Sequence, residues 1–336
     1  MSSADGASAS KPGRNGTVPV GERNPRARQR ARAAIAGAMA GVYPWPEAAR
    51  LAPGTTGIDD FIAIANGSTA HIRDGYDHQT FGFIGTGKRA FEMLGPVLKR
   101  SDARVLAVCD VDSTRRENAK AIVDKHYGST DCFATNDYAA LLARQGIDAV
   151  VISTPDHWHA NQCLHAMAAG KDIYCEKPLT LTLDEGPLLI AAARTHNTVF
   201  QTGSQQRTEF GHGFVKACEL VRAGRVGDLL TVHVGVGTTS VPCDLKEEPL
   251  EPGLDWDRWL GPAPLRPYHS VLSPRGIHNH YPNWRLYSEY SGGMMTDFGA
   301  HHFDIVQWAL DADTSGPVRI IPPDDKNAKF GCTLIY

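Results

Sequence analysis

A glycine-rich turn near residue 85 has the residue types that a dinucleotide-binding turn requires. Gly85, Gly87 and Ala90 follow the pattern G-x-G-x-x-A. The first glycine permits a tight turn, the second lets the backbone approach a pyrophosphate, and the small third residue lets a helix pack closely on a strand. The phosphates would lie at the start of that helix, where free N–H groups favour anions. The predicted contacts in this turn are Gly85, Thr86, Gly87, Lys88 and Arg89.

A carboxylate at the end of the next predicted strand favours NAD over NADP. Asp110 lies 23 residues after Gly87, close to the roughly 20 residues that separate turn and acid in such domains. The acid accepts hydrogen bonds from ribose hydroxyls and would repel a 2′-phosphate. Arg115 and Arg116 lie nearby and could attract a phosphate. NADP therefore stays open as the less favoured cofactor.

Three polar side chains farther along the chain could act on an alcohol. Lys177 follows a short apolar segment that is typical of a buried strand, and Asp297 and His301 are four residues apart. Ligands bind at the carboxyl edge of a parallel sheet, where a lysine cation can stabilise a developing alkoxide. Residues four apart share one face of a helix. Oxidation of a secondary alcohol needs a hydride acceptor and a base, and these residue types can supply the base.

The elements that must position these groups alternate along residues 79–203. Apolar segments typical of buried strands are separated by helical patterns, and the strands are expected at 81–84, 104–109, 148–153, 173–175 and 198–201. This alternation predicts βαβ units and a parallel sheet. We therefore predict an α/β fold with a Rossmann NAD-binding domain over 79–203. Pro96 is expected to kink or end the first helix early, and Ser113 to cap the second.

Residues 204–336 have a different pattern and predict a second α/β domain. A helix should end at Gly224, and a half-buried strand is expected at 229–236. A region rich in Pro, Trp and His follows, then a helix near 297–310 and strands around 318–321 and 332–336. We expect a large, mostly antiparallel open sheet. Because the chain stops within an apolar strand, we expect this sheet to be incomplete at its C-terminal end.

Composition and charge exclude several classes of protein. The chain has 336 residues, 42% of them hydrophobic, and a net charge of −3, which argues against nucleic acid as a partner. No apolar segment approaches the roughly 18 residues of a membrane span. Seven cysteines without a C-x-x-C pair are interpreted as reduced core residues.

The first 57 residues carry an excess of positive charge, with eight Lys and Arg against three Asp and Glu. An arginine-rich stretch at 23–32 precedes a short apolar one at 33–41, an order similar to that of an export signal. The match is poor, so residues 1–57 are interpreted as a disordered basic leader or a degenerate signal. We expect a cytoplasmic protein, with periplasmic export as the alternative.

Two segments resemble signatures of the Gfo/Idh/MocA oxidoreductase family. Residues 153–159 read S-T-P-D-H-W-H and residues 169–178 read A-G-K-D-I-Y-C-E-K-P, similar to the family's T-P-x-x-x-H and A-G-K-x-V-x-x-E-K-P. The resemblance runs from about Phe81 to Tyr336. It implies a Rossmann domain followed by an open-sheet domain that supports the substrate and the oligomer interface. We therefore expect a homo-oligomer formed through the C-terminal sheet.

The resemblance also implies roles for individual residues. His301 matches the family's general acid/base, and Asp297 would orient it or bind a substrate hydroxyl. Further cofactor contacts are expected at Thr154, Pro155, His159, Glu176 and Lys177.

Loop residues of the second domain suggest where a sugar could bind. Aromatic faces stack on sugar rings and an arginine bonds their hydroxyls, so substrate contacts are expected at Gln206, Arg207, Trp284 and Arg285. Trp256, Trp259, Tyr268 and Trp284 fit packing in a loop core equally well. No metal is expected, because the histidines at 157, 159, 278, 280, 301 and 302 lack a spacing such as H-E-x-x-H.

These observations favour an NAD-dependent oxidoreductase that acts on a sugar, polyol or sugar derivative. One alternative is an NAD-dependent glycosidase that oxidises a sugar carbon transiently, eliminates the aglycone and returns the hydride. A second alternative is a non-catalytic NAD-binding regulator with the same fold, which the presence of Lys177, Asp297 and His301 disfavours.

Overall fold

The first domain is built on a six-stranded sheet whose strands all run parallel. The computed structural model describes residues 78–324 and 331–336, so the leader expected over 1–57 lies outside the described residues. The sheet order is β3-β2-β1-β4-β5-β6, with bounds Gln79–Ile84 (β1), Ala103–Cys109 (β2), Phe133–Thr135 (β3), Ala149–Ile152 (β4), Asp172–Cys175 (β5) and Phe200–Thr202 (β6). This order confirms the predicted Rossmann-like fold, in which ligands bind beyond the carboxyl ends of the strands at the point where the strand order reverses, here between β1 and β4.

Helices cover both faces of this sheet because successive strand residues point to opposite sides. In β4, Ala149 and Val151 join one apolar core with Phe81, while Val150 and Ile152 join the other. The first core is covered by α1 and α2, and the second by α3, α4 and α5. Their bounds are Lys88–Leu98 (α1), Ser113–Tyr127 (α2), Tyr138–Leu142 (α3), Asp156–Ala168 (α4) and Glu185–Thr195 (α5).

Two expectations about helix ends need correction. Helix α1 continues through Pro96 to Leu98. The early end was wrong because the buried side chains of Val97 and Leu98 hold the last residues against the core despite the hydrogen bond that the proline cannot donate. Helix α2 is capped by Asp112, not Ser113, since the Asp112 carboxylate accepts a hydrogen bond from the N–H of Arg115 at 3.1 Å. No helix in the described ranges is long and apolar enough to cross a bilayer.

The second domain has a core of aromatic residues contributed mainly by loops. Trp256 and Trp259 stack with ring centres 4.6 Å apart, and Tyr268 meets Trp256 edge-on. These three side chains therefore serve packing. The helices of this domain are Gly213–Arg222 (α6), Trp256–Leu260 (α7), Met294–Asp297 (α8) and Gly299–Ala309 (α9), with short 3₁₀ turns at Gln205–Arg207, Phe210–His212 and Asn283–Leu286.

The large antiparallel sheet expected in this domain is not found among the described residues. They contain only a two-stranded antiparallel sheet, formed by Arg319–Ile321 (β7) and Thr333–Ile335 (β8). The strand expected at 229–236 is not formed. A strand persists only where its backbone groups pair with a neighbour, and the nearby pairing is limited to single bridges from Thr239 to Gly293 and from Val241 to Tyr287.

Candidate active site

The glycine turn after β1 packs directly against the turn after β4. Gly85 has φ +83°, and a Cβ there would lie 2.9 Å from backbone atoms of Ser153 and Thr154, so only glycine fits. Helix α1 then begins with Gly87 at its N-cap and no side-chain cap, and its first turn holds Lys88 and no acid. Uncapped N–H groups beside a basic side chain form a site that suits a phosphate.

Asp110 fixes this turn and borders the same space. Its Oδ2 accepts hydrogen bonds from the N–H and the hydroxyl of Thr86 at 2.7 and 3.0 Å, and its Oδ1 accepts one from the N–H of Asp112 at 2.9 Å. The two arginines nearby already have partners. Arg115 donates to the carbonyl oxygens of residues 274 and 276, and Arg116 donates to that of Asp110 at 2.9 Å.

A cleft of about 1080 Å³ lies between the two domains at the carboxyl ends of β1, β2 and β4. This volume is in the range of sites that enclose organic ligands. Predicted cofactor and substrate residues on its wall are Gly85, Gly87, Lys88, Arg89, Asp110, Thr154, Pro155, Trp284 and Arg285. These groups fit a dinucleotide, since the phosphate-binding turn, an acid and aromatic surface face one continuous space.

Residues 273–285, here called the bridging segment, span this cleft. At one end, the guanidinium of Arg115 on α2 bonds the Gly276 carbonyl at 3.1 Å. At the other end, the Tyr281 hydroxyl donates to both carboxylate oxygens of Glu92 on α1, at 2.8 and 2.9 Å. The Lys88 ammonium lies 4.5 Å from the centre of the Tyr281 ring. The segment therefore joins the two helices that flank the predicted phosphate and ribose positions.

Lys177 and Asp297, distant in sequence, form a partly buried ion pair. The Lys177 Nζ lies 2.5 Å from Asp297 Oδ1 and 3.1 Å from the Asp297 carbonyl oxygen. Arg285 Nε lies 3.6 Å from the same carboxylate oxygen. The ion pair itself is not on the cleft wall. Arg285 is on that wall, so it connects the ion pair to the cleft. A Cβ at Gly293 would clash with the backbone at 239 and 240, so the glycine lets α8 place Asp297 here.

His301 lies beside this ion pair with a nitrogen available. It is the third residue of α9, whereas Asp297 ends α8, so the two do not share one continuous helix. The buried Nδ1 of His301 has no hydrogen-bond partner among the described residues. Burial and, second, the charge of Lys177 lower the pKa of His301 to about 4, although Asp297 opposes the shift. The imidazole is therefore neutral near pH 7 and can accept a proton.

Asp156 is a buried acid near this cluster to which the sequence analysis assigned no role. It is 3% exposed, and its Oδ2 has no hydrogen-bond partner within the described structure. Burial raises the pKa of Asp156 to about 7, with Ser291, Arg285 and Lys177 acting against the shift and Asp297 with it. The sequence feature that could have identified Asp156 is its position directly after Thr154-Pro155 in the T-P motif.

Two predicted cofactor contacts bond other parts of the protein. Glu176, 4% exposed, accepts a hydrogen bond from Arg89 Nε at 2.8 Å. Both ring nitrogens of His159 lie 2.8 Å from backbone carbonyl oxygens, those of Pro178 and Thr154. Neither residue is on the cleft wall, so their expected contact with the cofactor stays a prediction.

The four predicted substrate residues are not all in one place. Trp284 and Arg285 are on the cleft wall, and the Arg285 guanidinium lies 4.2 Å from the centre of the Trp284 ring. Arg207 is not on that wall, and it pairs with Asp304 and Asp313 at 2.7 and 2.8 Å. Gln206 is also off the wall, in the 3₁₀ turn that holds Arg207.

Histidines considered as metal ligands bond the backbone instead. His157 lies 3.0 Å from the Trp259 carbonyl oxygen, and His302 lies 2.8 Å from that of Gly235. In the parts of the chain that the structure describes, no three His, Cys, Asp or Glu side chains are grouped so as to hold a metal ion.

Comparison with known proteins decides the family. The model of the oxidoreductase family with an NAD-binding Rossmann fold matches residues 79–204, and the model of its C-terminal α/β domain matches residues 232–330. The chain belongs to the Gfo/Idh/MocA family. This result confirms the resemblance drawn from the two sequence signatures.

Individual members of the Gfo/Idh/MocA family match over shorter stretches. The chain is 29% identical over 154 residues to 2,7-anhydro-N-acetylneuraminate hydratase of Mediterraneibacter gnavus, covering 46% of this chain and 38% of that protein. It is 32% identical over 153 residues to a glycosyl hydrolase family 109 protein of Shewanella putrefaciens, covering 44% and 33%. These two matches span 38% and 33% of the relatives' own lengths.

A solved structure supports the fold of the family. The WlbA dehydrogenase of Bordetella pertussis, in complex with NADH and UDP-GlcNAcA, matches with a TM-score of 0.50 at 17% identity. The match covers 75% of this chain and 63% of that one. At this identity, the comparison shows similarity of fold alone.

Proposed function

We propose that this protein is an NAD-dependent oxidoreductase that acts on a sugar, polyol or sugar derivative. The observation that carries the proposal is the partly buried Lys177–Asp297 pair, which Arg285 connects to a cleft lined by the predicted phosphate-binding turn. An ammonium group next to such a cleft suits an alcohol whose oxygen becomes negative as it reacts.

The roles of the side chains follow from their partners. A bound nicotinamide would supply hydride acceptance. Lys177, held by Asp297, donates a hydrogen bond to the reacting oxygen, and the neutral His301 accepts the hydroxyl proton at Nδ1. Arg285, which lies against the Trp284 ring on the cleft wall, offers hydrogen-bond donors that suit the hydroxyls of a sugar. The names of the hydratase and hydrolase relatives support this substrate class.

NAD is the proposed cofactor. The Asp110 carboxylate borders the cleft and disfavours a 2′-phosphate, while Arg115 and Arg116 already bond backbone carbonyls. We expect NADH to bind more tightly than NADPH when both are titrated by their fluorescence. Tighter binding of NADPH would contradict the assignment of Asp110.

The test of the main proposal combines cofactor detection with a substrate panel. Purified full-length protein is examined for co-purified nicotinamide by mass spectrometry, and polyols, sugars and N-acetylated sugars are then assayed for NADH formation at 340 nm. We expect NADH formation with at least one member. Binding of NADH without turnover of any panel member would count against the proposal and favour the regulator.

A redox-neutral glycosidase is the second candidate, and Asp156 favours it. Transient oxidation followed by elimination needs a proton donor for the leaving oxygen in addition to the base that serves oxidation. A buried acid whose pKa is about 7 lies close enough to Lys177 and Asp297 to be affected by their charges. Two of the relatives carry hydrolase or hydratase names. Release of nitrophenol from aryl N-acetylglycosaminides without net NADH, lost when NAD is removed, would select this candidate.

A further inference from the structure

His159 is placed between two turns at the carboxyl edge of the sheet. It is 1% exposed and lies on α4. Its Nδ1 is 2.8 Å from the carbonyl oxygen of Pro178, in the turn after β5, and its Nε2 is 2.8 Å from that of Thr154, in the turn after β4. Because β4 and β5 are neighbours in the sheet, one imidazole contacts both turns.

The ring cannot satisfy both carbonyls at once while it is neutral. A carbonyl oxygen only accepts hydrogen bonds, and a neutral imidazole carries one N–H. Burial lowers the pKa of His159 to about 4, with the carbonyls of Pro178 and Thr154 acting against the shift and the cations Lys177 and Arg285 with it. At neutral pH the ring therefore donates only one of the two hydrogen bonds at a time. One tautomer donates to the carbonyl of one turn, and the other tautomer donates to the carbonyl of the other turn.

The turn after β5 carries Lys177 and is held at three consecutive residues. Arg89 bonds the Glu176 side chain, Asp297 bonds the Lys177 side chain, and His159 contacts the Pro178 carbonyl. The His159 contact is the one among these three that involves the turn's backbone. The other turn, at Thr154-Pro155, is part of the cleft wall.

We propose that His159 is a positioning residue that sets the spacing between the cleft-lining turn at Thr154-Pro155 and the turn that carries Lys177. With both ring nitrogens directed at carbonyl oxygens, His159 acts on the reaction through these turns and does not bond the cofactor. The proposal rests on the proposed function of Lys177, so its test includes two measurements that need no turnover.

Two substitutions of His159 remove its two carbonyl contacts one at a time. In His159→Asn the amide nitrogen replaces Nδ1 and keeps a donor for Pro178, and in His159→Gln it replaces Nε2 and keeps a donor for Thr154. Three quantities are measured on the full-length protein: hydrogen exchange of the peptide covering 172–182, NADH affinity by fluorescence, and the initial rate of NAD reduction with myo-inositol or the best panel substrate.

Opposite effects are expected from the two variants. His159→Gln should speed exchange in 172–182 by roughly tenfold, as for one lost buried hydrogen bond, and keep NADH affinity. Its kcat should fall by about 10- to 100-fold, because Lys177 is misplaced. His159→Asn should keep slow exchange in 172–182 and weaken NADH binding by a few-fold, since one hydrogen bond to the cleft wall is lost.

A matched control is His157→Asn on the same helix, which removes a buried contact to the Trp259 carbonyl. It should leave exchange in 172–182 unchanged. Equal effects of Asn and Gln at His159, or the reverse pattern, would overturn the proposal. Direct cofactor contact would instead weaken NADH binding equally in both variants. If the exchange and NADH results hold while no substrate turns over, the proposed function fails and the positioning role of His159 stands.

Discussion

At the residue scale, Lys177 depends on Asp297 for its orientation. The 2.5 Å contact and the low exposure of both side chains hold the ammonium in one position. A buried charge that loses its partner is costly, but Arg285 lies 3.6 Å from the Asp297 carboxylate and compensates part of the loss in a Lys177 variant. Replacement of Lys177 should therefore affect catalysis more than folding.

We expect Lys177→Met to lower kcat/KM by about 100- to 10,000-fold, the usual range for removal of a positioned proton-transfer or charge-stabilising group. NADH affinity should change little. Steady-state rates and fluorescence titration measure the two effects. Lys216→Met serves as the control, because Lys216 is exposed on α6 and pairs only loosely with Glu219 at 3.5 Å. Equal losses in both variants would contradict the role of Lys177.

His301 should determine the acid limb of the pH–rate profile. In the proposed mechanism its neutral form is the base, and burial lowers its pKa to about 4. The profile of kcat/KM reports groups of the free enzyme, so the rate should stay constant down to about pH 5 and fall near pH 4. His301→Asn should lower the rate and remove this limb, whereas His302→Asn should keep it. Brief assays followed by return to pH 7 separate titration from unfolding.

At the scale of elements, the bridging segment decides how the cleft is closed. A loop of the second domain is tied to α1 through Tyr281 and to α2 through Arg115. We predict that this segment covers a bound dinucleotide, so that release requires at least one of these ties to break. The strength of the ties should therefore control the rate of release.

Tyr281→Phe removes the hydroxyl that donates to Glu92 and keeps the ring beside Lys88. This hydrogen bond is exposed to solvent and should contribute about 1 kcal/mol, so we expect NADH to dissociate about 5-fold faster. Stopped-flow fluorescence with excess NAD as competitor measures this rate. Tyr287→Phe is the matched control because Tyr287 is not on the cleft wall. An unchanged rate in Tyr281→Phe would show that this tie does not limit release.

At the scale of the whole molecule, buried histidines should make stability depend on pH. Burial lowers the pKa of His157, His159 and His301 to about 4, below the ordinary value near 6.5. Between these values the unfolded chain binds protons that the folded chain does not, so the free energy of unfolding falls as the pH falls from about 6.5 to 4. Asp156, whose pKa is about 7, has the opposite effect on stability. It binds its proton more readily in the folded chain, so it raises the free energy of unfolding as the pH falls and offsets the effect of one histidine.

Urea denaturation between pH 4.5 and 7 measures this slope. Each group contributes at most about 1.4 kcal/mol per pH unit. His157→Gln keeps a donor for the Trp259 carbonyl and does not titrate, so it should make the slope shallower by up to that amount. A slope that is flat, or equal in this variant and the parent protein, would contradict the burial of neutral His157.

The fold of the first domain could be predicted from hydrophobic periodicity and from the residues in its turns. The apolar strands, the G-x-G-x-x-A turn and the T-P and E-K-P segments depend on local patterns, and the observed sheet order agrees with the predicted Rossmann-like fold. The second domain was less predictable. An alternating segment at 229–236 has the pattern of a strand, but pattern alone does not supply the neighbouring strand that its backbone requires.

The sequence by itself determined the family, and it predicted the phosphate-binding turn and the candidate lysine, because each is encoded by adjacent residues. Only the tertiary structure decided which charged and polar side chains contact one another. The Lys177–Asp297 and Tyr281–Glu92 contacts join residues 120 and 189 positions apart, and the burial of Asp156 depends on packing from several segments. Local sequence limits conformations within a turn or helix, whereas electrostatics and desolvation depend on distances between segments that only the folded chain fixes.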